Sequence, residues 1–424
     1  MQNTPAETPA EPGYMTIVQI IVSGLGLVLS LLGAALLGLI GLVALMSENP
    51  GMPDMVPLFT LAWVSGLAAV LAVPSVYFSV RRLMRSATVG RSLPGFRIAA
   101  MLILLWPLAL ALGAALSSSP LAWLFLPPLQ ILAIGLPIWF LVELVRRGLP
   151  AGSHQRGWGV FNASMFLTTP ATVVVELLVF LILAVAVGVW VSGQPELLEE
   201  LERLSLLITA GADTPEEILE AVRPYLQNPL VIAGIIGLLG GVTPLLEELI
   251  KPIALWALVG RRLNPAQGFV GGALCGAAFA LIESLMNLSS ITGPEWAGLA
   301  VGRAGTGLLH IGTSAFVGWG MASAWTEGKY LRLGLAFLGA SVYHGLWNSL
   351  SLLPVFASAM DLASPASPTG IVRFAPAVLV FLSALMLVAL ITANRRLRPV
   401  NPVVRTISTP GQEADLPPAE DQPL

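Results

Sequence analysis

Ten long apolar segments account for most of this chain and restrict what it can fold into. Most of them are long enough for the roughly 20 residues that a helix needs to cross the hydrocarbon core of a membrane. The composition agrees, because 56% of the residues are hydrophobic, only 11% are charged and the mean hydropathy is +0.83. The sequence therefore predicts an all-α fold, a polytopic transmembrane helix bundle in the lipid bilayer. Its predicted spans lie at about 15–46, 57–80, 98–117, 121–145, 164–192, 229–260, 266–289, 299–325, 333–357 and 373–394.

Charge and cysteine content exclude several classes of protein. The net charge of −3 gives no reason to expect a nucleic-acid partner. The single cysteine, Cys275, excludes intrachain disulfides and any metal site built from several cysteines.

The basic residues predict an orientation for the bundle. If the N-terminus is inside, 16 of the 21 basic residues fall in cytoplasmic segments, four fall outside, and Lys251 remains in the membrane. Cytoplasmic loops of membrane proteins carry such an excess of lysine and arginine. We therefore expect a multi-pass protein of the cell membrane with both termini in the cytoplasm.

The chain divides into four predicted parts. Residues 1–14 and 399–424 are rich in proline and acidic residues, which predicts disordered cytoplasmic tails. Residues 15–160 predict an accessory bundle of about four transmembrane helices. Residues 161–398 predict the functional core, because ionisable residues inside apolar segments concentrate there.

One polar insertion interrupts the core at 193–228, outside the cytoplasm. Its apolar residues recur at helical spacing with acidic residues between them, and Asp213-Thr214-Pro215-Glu216-Glu217 has the features of a helix start. We predict two short amphipathic helices that pack on the outer surface, with a substrate-filtering cap as the alternative.

The segment 243-TPLLEELIKPIALWALVGRR-262 places three charged residues inside a predicted span. Glu247 and Lys251 are four residues apart, and Glu248 and Lys251 are three apart, so all three share neighbouring helix faces. Charged groups in the membrane cost several kcal/mol each unless they face a bundle interior or a water-filled cavity. One carboxylate can pair with the lysine, which leaves the second available for proton transfer.

Polar residues also lie in the next three spans. Glu283 lies four residues after Phe279 and four before Asn287 in the seventh span. Arg303 and His310 share one face of the eighth span, and Arg303 is near the outer boundary, where we expect it to snorkel towards the headgroups. The ninth span carries its own pair on one face, His344 and Asn348.

The depths of these groups predict one shared site. At about 1.5 Å per residue from the nearest cytoplasmic charge or loop, Glu248, Glu283, His344 and His310 lie at heights of about 18 to 28 Å in a core of about 30 Å. Four separate helices therefore place polar groups in the outer half of the membrane.

Three short motifs in this order resemble the PrsW family of glutamic-type intramembrane proteases: EELIK (Glu247–Lys251), FALIE (Phe279–Glu283) and HGLWN (His344–Asn348). Wider relatives are the CAAX prenyl proteases and bacteriocin-immunity proteins, which have a histidine in place of Glu283. The resemblance covers about 230–350. It implies site-1-type cleavage of membrane-anchored protein substrates, such as anti-sigma factors, from the outer side. The family's essential residues would fall on Glu247, Glu248, Glu283 and His344.

The expected mechanism is peptide hydrolysis by a water that a glutamate activates. Glu247 is the expected general base, and Lys251 would orient the glutamate pair. His344 and Asn348 would donate to the oxyanion, while Glu283 and His310 would position the water. Phe279, Asn287 and Arg303 are expected to support the site.

The cofactor question stays open at this stage. A metal-free mechanism is the preferred version, which predicts no cofactor. Zinc is the alternative, and Glu247, Glu283 and His344 would then be its three protein ligands.

Two other functions compete with proteolysis. Intramembrane acids and histidines also mark ion pathways, so a proton- or ion-coupled transporter is one alternative. Its best support is Glu176 in the fifth span, which belongs to no motif. The other alternative is an inactive scaffold that binds membrane-protein helices in the same cavity.

Overall fold

The computed structural model describes residues 13–46, 55–84, 95–150, 152–211, 215–258, 263–359 and 371–399. The two predicted tails lie almost wholly outside these ranges. Within them, every regular element is a helix and no strand occurs. The prediction of an all-α fold is confirmed.

Sixteen α-helices follow one another in the described part of the chain. Their bounds are α1 Tyr14–Met46, α2 Met55–Leu83, α3 Gly95–Leu102, α4 Trp106–Leu116, α5 Ala122–Arg146, α6 His154–Ala163, α7 Thr169–Ser192, α8 Pro195–Gly211, α9 Pro215–Leu226, α10 Pro229–Gly237, α11 Thr243–Ile250, α12 Ile253–Trp256, α13 Pro265–Leu288, α14 Glu295–Glu327, α15 Tyr330–Ala359 and α16 Ile371–Leu397.

The predicted polytopic bundle is also confirmed. Eight helical stretches of the described residues are long and apolar enough to cross a membrane. The eighth and ninth predicted spans, α14 and α15, are not among the eight, although they have 33 and 30 residues. They carry the two histidines of the predicted site, so their lower apolar content reflects the polar groups they hold. The span count is close to the predicted ten.

Helices α5, α13 and α14 form the centre of the molecule. Leu126 and Ile134 of α5, Phe269 and Ala277 of α13 and Ile311 of α14 are all buried in one apolar cluster. The N-terminal bundle therefore packs directly on the predicted functional core through α5.

Small residues let α13 and α14 approach each other closely. A Cβ atom on Gly272 would overlap the carbonyl oxygen of Ser314, and one on Gly276 would overlap the carbonyl oxygen of His310. Small residues at such contacts are the usual way for membrane helices to pack without a gap. This close contact fixes the height of His310 relative to α13.

Two spans contain π-helical turns, and one breaks at a proline. The turns are Ser164–Thr168 between α6 and α7, and Leu238–Val242 between α10 and α11. Beyond α11 the helix stops at Lys251, and Pro252 precedes the short α12. Proline cannot donate the next helical hydrogen bond and its ring clashes with the preceding turn. The predicted span at 229–260 is therefore broken just after its charged residues.

The insertion forms two helices, as predicted. They are α8 and α9, and α9 packs against α15. Of the predicted helix start, Pro215 begins α9, while Asp213 and Thr214 lie outside the described residues.

Replacing Gly272 by alanine is expected to destabilise the bundle. The added methyl group meets the backbone of α14, which cannot move aside as a side chain can, and overpacking typically costs about 1–3 kcal/mol. The midpoint temperature of unfolding in detergent should therefore fall by several degrees. Gly298→Ala on α14 is the matched control, because its Cβ would have nothing within 4 Å. Equal midpoints for the two variants would contradict the close contact.

The predicted orientation can be checked with single-cysteine variants, since the native Cys275 is fully buried. A membrane-impermeant maleimide should label Glu199→Cys in the insertion of intact cells. It should label Lys329→Cys, between α14 and α15, only after permeabilisation. The opposite pattern would reverse the orientation.

Candidate active site

Helix α11 carries the two glutamates into the interior. The side chains of Glu247 and Glu248 are buried, and Lys251 at the end of α11 has no exposed surface. The π-helical turn before α11 is held by α15, because the Asn348 Nδ2 donates to the Leu239 carbonyl at 3.0 Å. This bond connects the helix of the glutamates to the helix of His344.

The Glu248 carboxylate is bound by groups from three helices. Its Oε1 accepts from Lys251 Nζ at 3.0 Å, from Thr313 Oγ1 at 3.1 Å and from His344 Nδ1 at 3.0 Å. A buried carboxylate is tolerated only when such donors replace the lost water. Glu248 therefore connects α11, α14 and α15.

Lys251 bonds to more than the neighbouring glutamate. Its Nζ lies 2.6 Å from Glu247 Oε2, 3.0 Å from Glu248 Oε1 and 2.8 Å from His310 Nδ1. It also lies 4.3 Å from the centre of the Phe279 ring, a favourable position for a cation. The lysine therefore pairs with both carboxylates and not with one of them.

Glu283 reaches the other side of the His310 ring. Its Oε2 lies 2.8 Å from His310 Nε2 and 2.6 Å from the Arg303 guanidinium. Arg303 Nε also donates to Ser284 Oγ at 3.1 Å. The expected snorkelling of Arg303 is wrong in this structure, because its side chain is only 13% exposed and pairs with Glu283.

Each of the two imidazoles is oriented by a hydrogen bond to one carboxylate. His310 binds the Glu283 carboxylate through Nε2, and His344 binds the Glu248 carboxylate through Nδ1. A carboxylate accepts hydrogen bonds and cannot donate them. Each ring therefore carries its proton on the nitrogen facing the carboxylate, and its other nitrogen has a lone pair, which in His310 faces Lys251.

The two imidazoles and one carboxylate converge. A ligand atom from each of Glu247, His310 and His344 lies within 4.8 Å of the other two, and all three residues are buried. In metal sites of proteins, a histidine ligand usually donates its second nitrogen to a carboxylate, as both histidines do here. The donor set fits a divalent metal.

This set differs from the ligands expected from the sequence. The expectation was Glu247, Glu283 and His344, whereas the structure groups His310 in place of Glu283. The physical reason is the position of the Glu283 carboxylate, which binds the outer nitrogen of the His310 ring.

The remaining predicted residues occupy different positions. Phe279 lies against His310, with ring centres 5.0 Å apart. Asn287 makes only a long contact of 3.5 Å with Glu283. Asn348 donates its amide to the Leu239 carbonyl, and its oxyanion role stays a prediction.

Two residues of the cluster belong to none of the three sequence motifs. Thr313 lies one turn after His310 on α14, and this spacing is the only sequence signal that could have indicated it. Glu176 of α7 lies close enough to Glu247 to interact with it electrostatically. It was visible in the sequence as an isolated acid in an apolar span, but nothing indicated its partner.

The cluster is partly exposed at Glu283. The Glu283 side chain is 30% exposed, while Lys251, Glu248, His310 and His344 are nearly or fully buried. Asn287, one turn further along α13, is exposed. The Glu283–Arg303 pair is therefore a partly exposed edge of the cluster.

Residues 160–384 match the PrsW family intramembrane metalloprotease, which is more than half of the chain. The chain belongs to the PrsW family. All three PrsW-like motifs lie within the matched residues, as do α7, α14 and the insertion. Neither the search of curated proteins nor that of solved structures gave a match.

Replacing Thr313 by valine is expected to destabilise the PrsW site without changing its shape. The change removes one of three donors to a buried carboxylate, and hydrogen bonds to charged groups contribute about 1.5–3 kcal/mol. The free energy of unfolding should fall by that order. Thr306→Val is the control on the same helix, because the Thr306 hydroxyl donates only to its own helix at Gly302. Equal losses in the two variants, or no loss in Thr313→Val, would contradict the role of Thr313.

Proposed function

We propose that this PrsW-family membrane peptidase uses one zinc ion held by Glu247, His310 and His344. The proposal is supported most by the two carboxylate–imidazole contacts, from Glu283 to His310 and from Glu248 to His344. They leave one lone pair on each ring, and the two rings lie with Glu247 in one cluster. The family is described as metalloproteases. The metal-dependent version, left open by the sequence, therefore replaces the metal-free one as the preferred mechanism.

The residues fit zinc on chemical grounds. Catalytic zinc sites take three protein ligands and leave one position for water, and two histidines with one glutamate are a known set. When bound, the metal would polarise the scissile carbonyl and lower the pKa of its water. The protein's own side chains would orient the ligands and transfer the protons.

Glu248 and Glu283 hold the two imidazoles in the required orientation. Glu248 fixes His344 from inside the bundle, and Glu283 fixes His310 from its partly exposed edge. The four residues that the family resemblance marks as essential thus retain roles, with His310 added as a ligand.

Glu176 is the carboxyl group best placed to exchange a proton with a water beside Glu247. It lies next to Glu247, and its Oε1 is buried without a hydrogen-bond partner among the described residues. In this mechanism Glu247 binds the metal, so Glu176 takes the general-base role that the metal-free version gives to Glu247.

The proposed substrates are membrane-anchored proteins of the anti-sigma-factor kind, cleaved near the outer face in a site-1-type step. Two features support this class. The cluster lies among membrane helices, and its partly exposed edge is at the C-terminal end of α13, which the charge distribution predicts to be outside. Residues 161–398 would form the catalytic unit, and residues 15–160 would support it.

The transporter alternative loses its best support. Glu176 is not a separate polar position on an ion pathway across the membrane, because it belongs to the same cluster as the motif residues. A scaffold without activity would bind helices but leave them intact, so cleavage decides between it and the peptidase.

Glu247→Gln is expected to abolish cleavage. The membranes of cells that make the native protein should contain shortened single-span proteins that are absent with the variant, as measured by proteomics of peptide termini. The purified protein should cleave such a substrate in vesicles, lose activity with a zinc chelator and regain it with zinc. Chelator-resistant cleavage would contradict the metal, and cleavage by the variant would contradict the role of Glu247.

Glu283→Gln should have a smaller effect than loss of a ligand. Changes to groups that orient metal ligands typically cost about 10–100-fold in metal affinity or activity. Zinc affinity and the rate of cleavage should both fall within that range. Glu295→Gln, an exposed acid in the first turn of α14, should leave both unchanged.

A further inference from the structure

Lys251 occupies an unusual position in the cluster. Its Nζ lies 2.6 Å from Glu247 and 2.8 Å from His310 Nδ1, so it contacts two of the three proposed metal ligands. It is fully buried and has no route to solvent of its own. The ammonium group thus provides positive charge where the proposed metal would provide it.

The His310 ring makes these two cations mutually exclusive. Its Nε2 proton is directed to Glu283, so Nδ1 has one lone pair, and that lone pair accepts from Lys251 in this structure. One lone pair cannot accept an N–H and bind a metal at the same time. Metal binding by His310 therefore requires Lys251 to leave it.

We propose, as an extension of the zinc-dependent function above, that Lys251 is a displaceable internal cation. It binds Glu247 and His310 before the metal enters, and it moves off both when the metal is loaded.

The buried carboxylates offer a place for the displaced ammonium group. Lys251 already contacts Glu248 Oε1, and the second oxygen of that carboxylate, Oε2, is buried without a hydrogen-bond partner among the described residues. A short movement of the flexible lysine chain would therefore exchange its contacts with Glu247 and His310 for a bond to an oxygen that lacks a partner.

The benefit of this arrangement is electrostatic. Without a cation, Glu247 and Glu248 would face each other inside the membrane, where uncompensated charge is costly. With Lys251 in place, the ligand set can fold before any metal arrives. The lysine then competes with the metal and sets a minimum affinity that a metal must have to bind.

The test is a measurement of zinc affinity on the purified full chain in detergent, by competition with a chromophoric chelator. Lys251→Gln should bind zinc at least about tenfold more tightly than the native protein, because the metal no longer breaks hydrogen bonds between charged groups. Lys329→Gln, the only other lysine, should leave the affinity unchanged.

Arg303→Gln separates competition from a general effect of charge. It removes a positive charge that pairs with Glu283 but does not contact His310 Nδ1. A clearly smaller gain for Arg303→Gln than for Lys251→Gln supports the proposal. Equal gains, or no gain for Lys251→Gln, would overturn it while leaving the zinc site intact.

A second measurement uses the native protein and does not depend on how the variants fold. X-ray absorption at the zinc edge counts imidazole ligands, and two imidazoles would show that Lys251 has left His310. One imidazole would show that the lysine stays, which overturns the proposal. A native protein that binds no zinc and still cleaves its substrate would overturn both the zinc site and the displacement.

Discussion

The carboxylate of Glu248 is the interaction on which the site depends. It is completely buried in a bundle that spans a membrane, where a charge without partners costs several kcal/mol. Three donors, from the end of α11, from α14 and from α15, converge on one of its oxygens. The need to satisfy this one group fixes the relative positions of three helices. His344 receives its orientation from the same bond, so assembly of the fold and preparation of the site are one event.

Part of this arrangement could be predicted from the sequence because each helix carries its own polar signal. The long apolar segments predict the spans, and the i, i+3 and i, i+4 spacings of Glu247, Glu248 and Lys251 predict a shared face. The broadly similar depths of four polar groups predict convergence. Such arguments work because the membrane fixes the axial position of a helix, which leaves fewer degrees of freedom than a soluble fold has.

The rest could not be predicted because it depends on the rotation and bending of helices. Sequence spacing gives no information about which nitrogen of His310 faces Glu283, and that choice excludes Glu283 from the ligand set. The two π-helical turns change the facing of every residue after them, which is why the contact of Glu176 with Glu247 had no sequence signal. Asn348 shows the same limit, since nothing in the sequence indicates that its amide donates to the Leu239 carbonyl in the second π-helical turn.

The hairpin of α8 and α9 has a mechanical consequence. It is the covalent link between α7, which carries Glu176, and the α10–α11 segment, which carries Glu247 and Glu248. Helix α9 also packs on α15. A molecule that pulled the hairpin away from α15, or pressed it closer, would change the separation of the helices that hold the acids. The hairpin thus connects, through the chain itself, the two membrane helices whose carboxyl groups meet at the site.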